Sequence, residues 1–94
     1  MPFDADDEKF LHNQISDAVE NMLQAVVMQA NYRNEIKISE SADFNFGWAI
    51  GFVERGFSLY YFRKHGKGPT DEDESNILKE IQKRLHEIRD ASNY

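Results

Sequence analysis

FNFGWAIGFVERGFSLYYF, residues 44–62, decides the fold of this chain. It gathers Phe44, Phe46, Trp48, Phe52, Phe57, Tyr60, Tyr61 and Phe62 around Ile50, Val53 and Leu59, with Glu54-Arg55 between them. Two readings compete. As strands, Phe44, Phe46, Trp48, Ile50 and Phe52 share one face, and Glu54-Arg55-Gly56 turns a hairpin, which gives an α+β fold. As a helix, the segment is apolar nearly all round and carries Gly47, Gly51 and Gly56, each costing about 1 kcal/mol relative to Ala.

The flanks favour the helix. Arg63-Lys64-His65-Gly66 puts cations in a last turn and a Gly where a helix turns left-handed. At the other end Ser41 or Asp43 is suited to cap the first turn. The expected helix spans 42–65, with a central hairpin at 44–62 as the alternative.

Upstream, Phe10, Leu11, Ile15, Ala18, Val19, Met22, Leu23, Val26, Val27 and Ala30 recur at steps of three and four. That period predicts a helix over about 5–32. Asp4, Asp6, Asp7 and Glu8 suit its positive end. Residues 31–42 are polar; Glu35–Ser39 alternates at period two but has no evident partner strand and reads as loop. Downstream, Thr70 caps a helix over 70–91, with Asp71–Glu74 in its first turn and Asp73 at the capping-box position. Leu78, Ile81, Leu85 and Ile88, joined by Ile77, form a narrow seam, and Glu80 with Arg84 a surface pair. The expected fold is all-α, a single domain of three helices over residues 1–94.

A middle helix apolar on every side needs cover on every side. Two partner helices in one 94-residue chain leave a face over. The expectation is a helical-bundle homodimer with Phe44, Trp48, Phe52, Phe57 and Tyr60 at the twofold contact. A membrane span is disfavoured, because Glu54 and Arg55 would lie near its centre.

The net charge of −6 argues against a nucleic-acid partner, since phosphate neutralisation relies on Lys and Arg. With no cysteine there is no disulfide, no thiolate zinc site and no thiol nucleophile. The first residues show neither the basic region nor the apolar run of a signal peptide, so a cytoplasmic location is expected.

No motif establishes a reaction or a cofactor. Drawn as a helix, residues 43–65 carry a polar seam of Asp43, Gly47, Gly51, Glu54, Ser58, Tyr61 and His65. Its ordinary explanation is a packing groove. Its functional one is a ligand pocket between subunits, formed by Trp48, Glu54, Ser58, Tyr61 and His65, with Glu54 as base. Glu8 with His12, and His86 with Asp90, have the four-residue step of metal ligands, but neither pair has a third ligand near it in sequence, and surface ion pairing explains both. Arg63, Lys64, His65 and Lys67 form a small basic patch that helix-end electrostatics explains. The expected function is a non-enzymatic, acidic protein-interaction homodimer whose acidic helix starts meet a basic partner. The alternative is a small-ligand-binding protein or enzyme with its pocket around Glu54.

Overall fold

A computed structural model describes residues 3–24 and 42–93 of the chain. The described residues are helical and contain no strand, so 44–62 is a helix and the hairpin is set aside. Helix α1 spans Ala5–Glu20, α2 Ala42–His65, α3 Asp71–Gln82 and α4 Leu85–Ala91. Glu35–Ser39, residues 25–32 and the proposed cap at Ser41 lie outside the described residues.

Each helix start has a local cause. Asp4 caps α1: its carboxylate accepts from the Asp7 backbone N–H at 2.9 Å, while the Asp7 carboxylate accepts from the Asp4 N–H at 3.2 Å. Thr70 and Asp73 make the same reciprocal box at the start of α3, as the sequence predicts. Aspartate replaces the more usual Glu or Gln in both boxes. Helix α2 ends at Gly66, whose φ of +75° is the left-handed conformation that favours glycine, and the Gly66 N–H reaches the Phe62 carbonyl.

Two expected helices are interrupted. The run read over 5–32 breaks after Glu20. Asn21 leaves helical geometry, and its side-chain amide donates to the Asp17 carbonyl at 2.8 Å, a bond that competes with the helix ladder. Residues 22–24 are helical again. The run read over 70–91 breaks at Lys83–Arg84. There the Arg84 guanidinium is drawn to α1, donating to the His12 carbonyl at 2.9 Å and to Ser16 Oγ at 3.1 Å. The expected Glu80–Arg84 pair does not form: Arg84 binds Glu87 and Glu80 binds Lys83. The three-residue spacing of each pair is as close on a helix as the four-residue one, and the contacts to α1 fix which is used.

Helix α1 packs against α2, α3 and α4, and α4 also meets α2. From α2 the buried residues are Asn45, Ala49, Val53, Phe57 and Tyr61, each four after the last. All but Asn45 join Leu11, Ile15, Ala18, Met22, Ile81 and Ile88 in one core. A row of four-residue steps drifts slowly around an α-helix, so α2 buries one winding stripe instead of a whole circumference. The remainder of its apolar surface is only partly covered. Phe52 is 40% exposed, Leu59 42% and Phe62 58%, and no described group lies within 4 Å of where a Cβ on Gly47 or Gly51 would stand. Leu78, placed by its period in the seam of α3, is 51% exposed.

Candidate functional site

Two features stand out around α2: a buried carboxylate cluster at its C-terminal end and a groove along its flank. The cluster centres on Asp7, which is fully buried. Its Oδ1 accepts from Lys64 Nζ at 2.8 Å and from the Tyr60 hydroxyl at 3.0 Å. Its Oδ2 accepts from His65 Nε2 at 2.9 Å as well as from the Asp4 N–H. Lys64 also donates to both oxygens of Asp4. Burial pushes the Asp7 carboxyl up, but the hydrogen bonds from Lys64, His65, the Asp4 backbone and Tyr60 outweigh it and hold the group below its ordinary value. Those carboxylates in turn raise the Lys64 ammonium well above the usual lysine range.

A parallel arrangement ties α3 to α2. The Tyr61 hydroxyl donates to Asp73 Oδ2 at 2.8 Å, and the Tyr61 ring lies 4.2 Å from that of His65. Burial, then the bond to the Asp73 carboxylate, pushes the Tyr61 phenol up to about 12. No fully buried side-chain nitrogen or oxygen of this cluster lacks a partner, and the arrangement ties α1, α2 and α3 together.

The groove runs between α2 and α3. Glu54, Phe57 and Ser58 form one wall, Ile77, Leu78, Ile81 and Glu74 the other, and Pro69 closes one end, around a volume of about 290 Å³. Its floor is apolar, and two carboxylates, Glu54 and Glu74, stand on its exposed rims. A shallower groove on the opposite flank is lined by Phe10, Gln14, Leu59, Tyr60, Arg63 and Lys64.

The five pocket residues expected from sequence therefore divide into three places. Glu54 and Ser58 share the α2–α3 groove. Tyr61 and His65 belong to the buried cluster. Trp48 is on another side of the helix, stacked on Phe52 at 5.5 Å between ring centroids. Of the residues placed at a twofold contact, Phe57 lies in the chain's own core against Phe3 and Phe10. Tyr60 stacks on Phe10 at 3.9 Å. Phe44 and Trp48 are half-buried and Phe52 is exposed.

The sequence reading also missed a residue. Glu80, on α3, comes to Glu8 and His12 on α1, and His12 Nε2 lies 3.0 Å from Glu80 Oε1. Nothing local in the sequence signals an encounter across 68 positions. Comparison with known protein families, curated proteins and solved structures finds no match for this chain. No helix among the described residues is long and apolar enough to cross a membrane.

Proposed function

We propose that the protein is a non-enzymatic interaction subunit that works as a homodimer in the cytoplasm and receives a basic, apolar-anchored segment of a partner protein in the α2–α3 groove. The groove carries this reading. Its apolar floor suits one or two aliphatic or aromatic side chains, and Glu54 and Glu74 on the rims suit flanking Lys or Arg. A net charge of −6 steers a basic partner toward it and repels polyanions. The self-contact is read from the uncovered side of α2, where the Trp48–Phe52 stack adjoins Gly47 and Gly51. Glycines there let a second backbone approach closely.

Selection from a random peptide library tests the groove. Enriched sequences are expected to carry an apolar anchor between basic residues, and to lose binding to Leu78→Asp and to Glu54→Lys/Glu74→Lys variants. Their affinity is expected to fall as salt rises. Acidic selected sequences, or binding indifferent to those variants, refute the groove reading. Sedimentation at micromolar concentration tests the self-contact separately, and a strictly monomeric mass refutes it.

A further inference from the structure

We infer that Glu8, His12 and Glu80 form a binding site for a first-row divalent metal ion, of which Zn²⁺ is the representative, across the α1–α3 contact. This goes beyond the interaction reading and does not depend on it. Glu8 and His12 are one turn apart on the same face of α1, and Glu80 projects to them from α3. One ligand atom from each side chain lies within 4.8 Å of the other two, the one such set among the described residues.

Ligands at about 2.0–2.1 Å from a tetrahedral Zn²⁺ are separated by about 3.3 Å along each edge. His12 Nε2 and Glu80 Oε1, at 3.0 Å, already stand close to that spacing. Glu8 is exposed on the first turn of α1, and one of its carboxylate oxygens already lies within 4.8 Å of the His12 and Glu80 ligand atoms. One imidazole and two carboxylates suit Zn²⁺ or Co²⁺ better than the all-oxygen sets preferred by Mg²⁺ and Ca²⁺.

The scaffold behind these ligands is fixed. Arg84 donates to the His12 carbonyl and to Ser16, and Glu87 holds its guanidinium from the other side at 2.8 Å, which locks α1 against the α3–α4 turn. Lys83 donates to Glu80 Oε2, leaving Oε1 directed at His12. Outer partners of this kind orient metal-binding carboxylates. An ion pair requires only His12 and Glu80. Glu8 brings a second carboxylate to the same imidazole, and that is what a metal site needs.

The test is titration of the full chain with Zn²⁺ by calorimetry, with Co²⁺ absorption as a report on tetrahedral geometry. One ion per chain is expected to bind, with a rise in melting temperature. His12→Gln and Glu80→Gln are expected to weaken binding by at least about tenfold. Glu8→Gln, at an exposed position that does not threaten folding, is expected to weaken it by about tenfold as well, whereas an ion pair would not notice that change. His86→Gln is expected to leave binding unchanged. Absence of saturable binding, binding indifferent to Glu8→Gln and His12→Gln, or loss of binding in His86→Gln overturns the site.

Discussion

Asp7→Asn is the sharpest perturbation of this fold, because it alters one charge and almost no volume. The carboxylate presents two acceptor edges: Oδ1 to Lys64 and Tyr60, Oδ2 to His65 and the Asp4 N–H. An amide must turn a donor toward one of those edges. Facing Lys64, its N–H₂ meets an ammonium that can only donate. Facing His65, it can donate to an unprotonated ring nitrogen, but the Asp4 N–H then loses its acceptor and the α1 capping box is broken. The second orientation is the cheaper. It still forfeits charge-assisted bonds of about 1.5–3 kcal/mol each, partly recovered because Lys64 is about one-third exposed and can return to water. The expected loss is about 3 kcal/mol, at the lower end of the roughly 3–5 kcal/mol typical when one partner of a fully buried ion pair is removed.

Urea unfolding at fixed protein concentration measures it. A domain of this size has a slope near 1 kcal/mol per M, so the midpoint is expected to fall by about 3 M. The pH dependence gives a second check. The folded Asp7 carboxyl is held below its ordinary 3.8, so its contribution is present above about pH 4 and is lost as pH falls through the folded value. The wild-type and Asp7→Asn stabilities are therefore expected to converge as pH falls through that folded value. A variant within about 1 kcal/mol of wild type at pH 7, or a gap that widens in acid, refutes the assigned role of this cluster.

Other perturbations separate the remaining claims. Gly47→Ala and Gly51→Ala meet open space in the single chain, so each is expected to stabilise an isolated subunit by up to about 1 kcal/mol while weakening self-association, read by sedimentation and thermal melts at several concentrations. Leu78→Asp is expected to shift stability by less than about 0.5 kcal/mol, since the side chain is half exposed, yet to abolish binding of selected peptides. Tyr61→Phe is expected to cost about 1–2 kcal/mol in denaturant unfolding by removing the shorter of the two hydrogen bonds that the buried Asp73 carboxylate accepts. Because the Tyr61 phenol is raised from 10.0 to about 12, its contribution is full below pH 10 and is lost as pH rises toward 12, so the variant is expected to lack that part of the alkaline transition followed at the tyrosinate absorbance.

The ends of the helices are legible in the sequence because caps are local. Gly66 after Arg63-Lys64-His65, and Thr70 with Asp73, need only their own neighbours to act, and the structure places both as expected. The breaks at Asn21 and Lys83–Arg84 are not legible. No Pro or Gly marks them, and the second coincides with a guanidinium drawn to a carbonyl 72 residues away. Composition is only half legible for α2. It says that one chain leaves part of an all-round apolar helix uncovered, but not that the buried part is the single row of four-residue steps from Asn45 to Tyr61. Among the acids, Asp6, Asp7 and Glu8 look alike as first-turn charges. The approach of the C-terminal end of α2 makes Asp7 a buried hub, the approach of Glu80 on α3 makes Glu8 a candidate metal ligand, and Asp6 stays an exposed charge.

That division changes what the acidic helix starts can do. In sequence, Asp4–Glu8 and Asp71–Glu74 look like surface charge available to a basic partner. In the fold, Asp4, Asp7 and Asp73 each serve twice, capping their own helix and accepting bonds from Lys64, Tyr60, His65 or Tyr61 on α2. The geometry is self-consistent, since the positive ends of α1 and α3 meet the negative end of α2 and the cations that terminate it. Local helix initiation and tertiary docking thus use the same oxygen atoms, so fraying of α2 at its end is expected to loosen the starts of α1 and α3 together. The charges left to face a partner are those with no internal bond of this kind, and Glu54 and Glu74 are the acids among the described residues that border the α2–α3 groove. A basic segment that needs both an anchor and a counter-charge finds them at that groove and not at the helix starts.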